Sequence, residues 1–257
     1  MDRAKLDAAY NNAAAVKNSA QIVADWQARS ARIREQHPDG LDLRYGPSPR
    51  NRIDFFEAKK DSPLLVFIHG GYWQMREKET FTFLVPGPLA HGLSVAMVGY
   101  TLAPEKRMDA IVGEIHAAIK YLDSRGNRMI VSGWSAGGHL GAMALQIPSV
   151  NAGLLISGLY DLEPIRHCYV NDKLRLDARE ADRNSPISMP AYSESVTIAY
   201  GANELPELCR QSEAYAKKVK HAKLLRLPNH DHFTILEELA SPEGALTQEL
   251  LGLVKRL

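Results

Sequence analysis

The chain has 257 residues, 45% hydrophobic and 24% charged, enough for one large domain with a sizeable core. Its 31 basic and 30 acidic residues nearly cancel to +1 and form no block of like charge, which argues against a nucleic-acid or anionic-membrane partner. Two cysteines, Cys168 and Cys209, make no disulfide framework, no apolar run approaches the ~20 residues that span a bilayer, and the first residues lead into no signal-like segment, so a soluble cytoplasmic protein is expected.

Residues 1–36 are polar and Ala-rich. Val16, Ile22, Val23, Trp26 and Ile33 mark a helical stretch over 13–34, in one or two pieces, as an N-terminal arm lying over the domain. Residues 41–45 and 52–56 alternate polar with apolar around the turn cluster Gly46-Pro47-Ser48-Pro49, which predicts a hairpin at a sheet edge. Residues 63–68 are wholly apolar, as in a central strand buried on both faces, and 93–98 read the same way. Ile111, Ile115, Ile119 and Leu122 form one stripe of an amphipathic helix over 108–122. Strands follow at 129–131, 154–156, 196–200 and 224–227, with helical runs at 138–147, 206–220 and 245–257. This alternation predicts a single α/β domain over 1–257, with a mostly parallel central sheet flanked by helices and its site at the carboxyl ends of the strands. Residues 159–194 break the rhythm with Pro164, Pro186 and Pro190, and read as a cap-like insertion over that edge.

Gly133-Trp134-Ser135-Ala136-Gly137 sits between the 129–131 strand and the helix that follows. A serine flanked by glycine two residues away on each side, on a sharp strand-to-helix turn, is the nucleophile-elbow pattern. The glycines permit the tight turn, and the hydroxyl is lifted above the sheet at the positive end of the next helix. Such a serine needs a base, a carboxylate that orients the base, and donors for a developing oxyanion, with chain order Ser, then Asp or Glu, then His. The candidate donors are the amides of Ala136, Gly70 and Gly71, the last two in the loop His69-Gly70-Gly71-Tyr72-Trp73 after the 63–68 strand. His232 is the candidate base, with His230 as its rival. Glu204, in the turn after the 196–200 strand, is the candidate acid, with Asp161 and Asp231 as rivals. A metal site at His230, Asp231 and His232 lacks further ligands in the sequence, and no cofactor is expected. His139, four residues past Ser135 on one helix face, is the remaining histidine of interest. Tyr72, Trp73 and Trp134 are candidates for an aromatic wall against a small-molecule substrate.

The loop 69–73, the segment Tyr100-Thr101-Leu102-Ala103-Pro104-Glu105 and the stretch Gly133-Trp134-Ser135-Ala136-Gly137-Gly138-His139 resemble the α/β-hydrolase fold on its esterase branch with a His-Gly-Gly loop. More narrowly, Tyr72-Trp73, Glu204-Leu205-Pro206-Glu207 with Arg210-Gln211-Ser212, and Asp231-His232-Phe233 are similar to the arylformamidase (kynurenine formamidase) group. The resemblance covers residues 40–257. It implies a cofactor-free serine hydrolase acting on a small N-formyl or N-acyl arylamide such as N-formylkynurenine, with Ser135 as nucleophile, His232 as base and Glu204 as acid. The group commonly has Asp where Glu204 stands. A small-ester carboxylesterase and a catalytically silent binding protein are the alternative readings. A homodimer is the one protein partnership considered.

Overall fold

The apolar runs become strands buried from both sides. The computed structural model describes residues 2–190 and 195–257. Strands β1 (Leu43–Arg44), β2 (Arg52–Phe56), β3 (Leu64–Ile68), β4 (Ser94–Val98), β5 (Met129–Trp134), β6 (Val150–Ile156), β7 (Ser195–Gly201) and β8 (Lys223–Leu227) join in one sheet of order β1-β2-β4-β3-β5-β6-β7-β8. The β1–β2 and β2–β4 pairs are antiparallel, and all pairings from β4–β3 to β7–β8 are parallel. Along β3, Leu64, Val66 and Ile68 enter one core with Ile111, Ile115 and Leu140, while Leu65 and Phe67 enter a second with Trp26, Phe81 and Leu250. This period of two is why the strand is apolar throughout: each face has its own layer of helices to bury.

The Met108–Asp123 helix buries the expected stripe of Ile111, Ile115, Ile119 and Leu122. The expected arm helix divides into Asn12–Ala15 and Ser19–Gln36. The hairpin forms, but its polar positions are not all solvated. Asp54 is fully buried, takes hydrogen bonds from Lys78 Nζ and the Asp42 amide, both at 2.8 Å, and pairs with Arg34. A buried carboxylate persists only with such partners. The 159–194 region folds into short helical turns at Pro164–His167, Asn171–Leu174, Ala178–Arg183 and Pro186–Ser188. Its last four expected residues, 191–194, and the arm's first residue lie outside the described ones. Among the described residues no helix is long and apolar enough to cross a membrane.

The elbow glycines are dictated by contact. A Cβ on Gly137 would lie 1.9 Å from the Ile68 carbonyl oxygen, and one on Gly133 would lie 2.2 Å from the Gly137 carbonyl oxygen. The turn therefore closes β5 onto the Ala136–Ala144 helix with no room for a methyl group at either position. Gly137→Ala is expected to lower stability by about 2–3 kcal/mol, the usual cost of overpacking, as a shifted midpoint in urea denaturation at unchanged slope.

Candidate active site

Four strand ends converge on one edge of the sheet. β3 leads into His69-Gly70-Gly71, β5 into Ser135, β7 into the turn holding Glu204, and β8 into the loop holding His232. Ser135 has φ 58° and ψ −119°, a conformation that strains a side chain by about 1–3 kcal/mol and is retained where the surroundings fix it. Its amide donates to the Ile156 carbonyl at 2.9 Å, and its carbonyl accepts from the His139 amide at 3.1 Å. The elbow is thus tied to β6 on one side and to its own helix on the other.

Glu204 is held at both carboxylate oxygens. Oε1 accepts from Ser157 Oγ and from the Gly201 amide, each at 2.6 Å, while Oε2 lies 2.9 Å from His232 Nδ1. A carboxylate only accepts, so in the neutral ring Nδ1 carries the hydrogen and Nε2 keeps its lone pair. The imidazole is fixed from a second side by Trp134: the rings lie 4.8 Å apart, and the indole N–H donates to the His232 carbonyl at 2.7 Å. The residue next to Ser135 in the chain therefore positions His232, and Ser135 and His232 line the same pocket.

The rivals are engaged elsewhere. His230 faces Glu238 at 3.2 Å. The Asp231 carboxylate accepts from the amides of Phe233 and Thr234 at 2.8 and 2.9 Å, fixing the loop that leads into the helical turn Thr234–Leu236. The Asp161 carboxylate accepts the Glu163 amide at 3.1 Å. Among the described residues no group of three or more His, Cys, Asp or Glu side chains is placed to hold a metal ion.

The glycine loop is shaped by a residue to which sequence reasoning gave no role. His69 is buried between the rings of Tyr100 and Phe81, at 4.3 and 5.9 Å, and burial lowers its pKa to about 3. The ring is therefore neutral at physiological pH, and its Nδ1–H donates to the Gly70 carbonyl at 2.8 Å. In a trans peptide the C=O and the following N–H point in opposite directions, so this bond turns the Gly71 amide away from His69. Gly71, with φ 112°, lines the pocket beside Ser135. The amides of Gly71 and Ala136 donate to no acceptor among the described residues. The Gly70 amide likewise donates to no acceptor among the described residues, and an added Cβ on Gly70 would sit 2.6 Å from the Trp134 ring.

The expected aromatic wall is only partly present. Tyr72 and Trp134 line the pocket, joined by Tyr169 and Phe233. Trp73 does not: it is fully buried, with its indole N–H on His139 Nδ1 at 3.1 Å. Tyr72 and Trp73 both have positive φ, 50° and 58°, and this irregular backbone sends one ring to the pocket and the other into the core. His139 is likewise structural. Burial lowers its pKa to about 4, and its Nε2–H donates to the Asn184 carbonyl at 2.7 Å, linking the loop to the 159–194 region.

The arm does more than cover the domain. Asn12 and Ala13 line the pocket, Asn12 Nδ2 donates to the Tyr72 hydroxyl at 3.1 Å, and the Tyr10 hydroxyl donates to Glu207 at 2.8 Å. Trp26 stacks on Phe83 at 5.0 Å and meets the edge of Trp134 at 5.7 Å.

The chain is similar to several known proteins. Residues 55–155 match the BD-FAE family. The chain is 34% identical to a kynurenine formamidase of Salmo salar over 242 residues, covering 83% of this chain and 81% of that protein. A crystal structure from Silicibacter sp. TM1040, carrying a provisional thioesterase assignment, is 32% identical with a TM-score of 0.89, over 95% of this chain and 98% of that one. An esterase of Pyrobaculum calidifontis shares the fold at 19% identity and a TM-score of 0.71, over 91% and 92% of the two chains.

Proposed function

The chain belongs to the kynurenine formamidase family of α/β-hydrolases, and from that membership we propose that it hydrolyses small N-formyl arylamides, N-formylkynurenine foremost, through a formyl-enzyme on Ser135. The observation that carries the reading is the His232–Glu204 contact of 2.9 Å in a pocket that also presents Ser135 and Gly71.

Ser135 Oγ attacks the formyl carbon while its proton passes to His232 Nε2. Glu204 stabilises the imidazolium through Nδ1–H. The amides of Gly70, Gly71 and Ala136 receive the oxyanion. His232 then returns the proton to the aryl nitrogen, the C–N bond breaks and the arylamine leaves. Water attacks the formyl ester with His232 again as base; formate departs and Ser135 regains its proton. The small formyl group suits an oxyanion site closed in by Trp134 and Gly71, and the aromatic leaving group suits Tyr72, Tyr169 and Phe233. None of these steps calls on a group other than protein and water.

The kinetic comparison of N-formylkynurenine with short p-nitrophenyl esters tests the substrate. The expected result is turnover of the formamide with a kcat/KM at least comparable to that of the esters. Fast ester cleavage with no formamide turnover would assign the site to small esters instead.

A further inference from the structure

Among the described residues, the wall of the pocket that holds Ser135 and His232 has one permanent cation, Arg76, and no Asp or Glu. Arg76 forms no ion pair and no side-chain hydrogen bond with any described residue. Its neighbours make it part of the reacting surface: a Cβ on Gly71 would lie 2.8 Å from Arg76 Cγ, so the arginine stem rests on the glycine whose amide faces the pocket. Its backbone is pinned at φ 74° with the carbonyl accepting from Arg50 Nη2 at 2.5 Å. Burial pulls the guanidinium below its usual range, and Arg76 is ion-paired with no carboxylate among the described residues. A guanidinium stays charged through such a shift, so the pocket wall carries an uncompensated positive charge.

A half-buried guanidinium with no described counter-ion has given up part of its hydration and can recover that loss by pairing with an anionic ligand. The ligand's contribution must be anionic and planar enough for the guanidinium fork, which describes a carboxylate. We propose that Arg76 is a specificity-determining residue, taking a carboxylate on the leaving-group side of the substrate, so that carboxylate-bearing aryl formamides and esters are preferred to neutral ones. This rests on the reading of the pocket as the site of acyl transfer, and not on the formamide bond itself. Arg76 touches the substrate away from the reacting carbon, so its effect falls mainly on KM.

The test uses two matched pairs on the full chain: N-formylkynurenine against N-formylkynurenamine, which lacks only the carboxylate, and 3-(acetoxyphenyl)propanoate against the corresponding propanamide. For each pair the ratio of kcat/KM, charged over neutral, is measured in the wild type, in Arg76→Met and in Arg76→Lys. Met keeps an unbranched stem at the same positive φ, so the backbone demand is unchanged. The expected wild-type ratio is about 10- to 100-fold in favour of the carboxylate, the usual worth of a charge-assisted contact. It should collapse in Arg76→Met, chiefly through KM, and recover in part in Arg76→Lys. A ratio near one in the wild type, or a ratio that Arg76→Met leaves unchanged because both members fall together, overturns the proposal. If only the esters are cleaved, the formamidase reading fails while the ester pair still decides the role of Arg76. If no member of either pair is cleaved, both readings fall.

Discussion

Ser135→Ala should lower kcat/KM toward N-formylkynurenine by on the order of 10⁴-fold or more and leave the fold intact. The hydroxyl is the proposed nucleophile, and what survives its removal is the contribution of the oxyanion donors and binding. The hydroxyl makes no hydrogen bond with a described residue that helps hold the elbow, which is fixed through the backbone, by the Ser135 amide on the Ile156 carbonyl and by the contact of Gly137 with Ile68. Ser135→Gly should be equally inactive but more stable, by about 1 kcal/mol, because glycine adopts φ 58° without strain. Circular dichroism with thermal unfolding, beside steady-state kinetics, separates the two effects. An inactive Ser135→Ala with a collapsed melting temperature would mean that the elbow depends on the side chain after all.

Glu204→Gln should lower kcat by on the order of 10³- to 10⁴-fold, with a change in KM of only a few-fold. The carboxylate takes two donors at Oε1, Ser157 Oγ and the Gly201 amide, and His232 Nδ1 at Oε2. In the amide, the carbonyl oxygen is claimed by the two donors at the Oε1 position, so the NH₂ faces His232. Nδ1 must then accept, the hydrogen moves to Nε2, and the ring can no longer take a proton from Ser135. Volume and hydrogen-bond count are nearly conserved, so unfolding should shift by no more than about 1–2 kcal/mol. Glu204→Asp keeps the charge on a shorter arm and should recover part of the activity; Gln and Asp variants of equal rate would contradict an orienting carboxylate.

The sheet was legible because its strands are buried on both faces. A run such as 64–68 has no polar residue to confuse the reading, and the alternation with helices implies a parallel sheet. Ser135 was legible because the glycines around it answer to hard contacts with Ile68 and with each other. The histidine and the carboxylate were less so. His230 and His232 sit in one short loop, and it is tertiary pairing, His232 with Glu204 and His230 with Glu238, that separates them. Glu204 is set apart from Asp161 and Asp231 by Ser157, 47 residues away in sequence, and no local pattern signals that contact.

The direction of Trp73 was not legible, since it depends on two consecutive non-glycine residues at positive φ. Nor was the part played by the arm. Its Asn12 and Ala13 look like polar, Ala-rich filler, and their place in the pocket wall exists only once Tyr10 and Tyr72 have met. His69 carries a signal in the sequence beyond its place in the loop motif: a histidine directly before a glycine pair, at the end of a buried strand, is placed to bond to the loop's own backbone.

The most direct test of the account is the site and rate of labelling by a fluorophosphonate, followed by peptide mass spectrometry on the wild type and on His232→Ala. The account predicts one adduct, on the hydroxyl between Trp134 and Ala136, formed at least about a hundredfold more slowly once the imidazole is gone. An adduct elsewhere, or the same rate in both proteins, would contradict it.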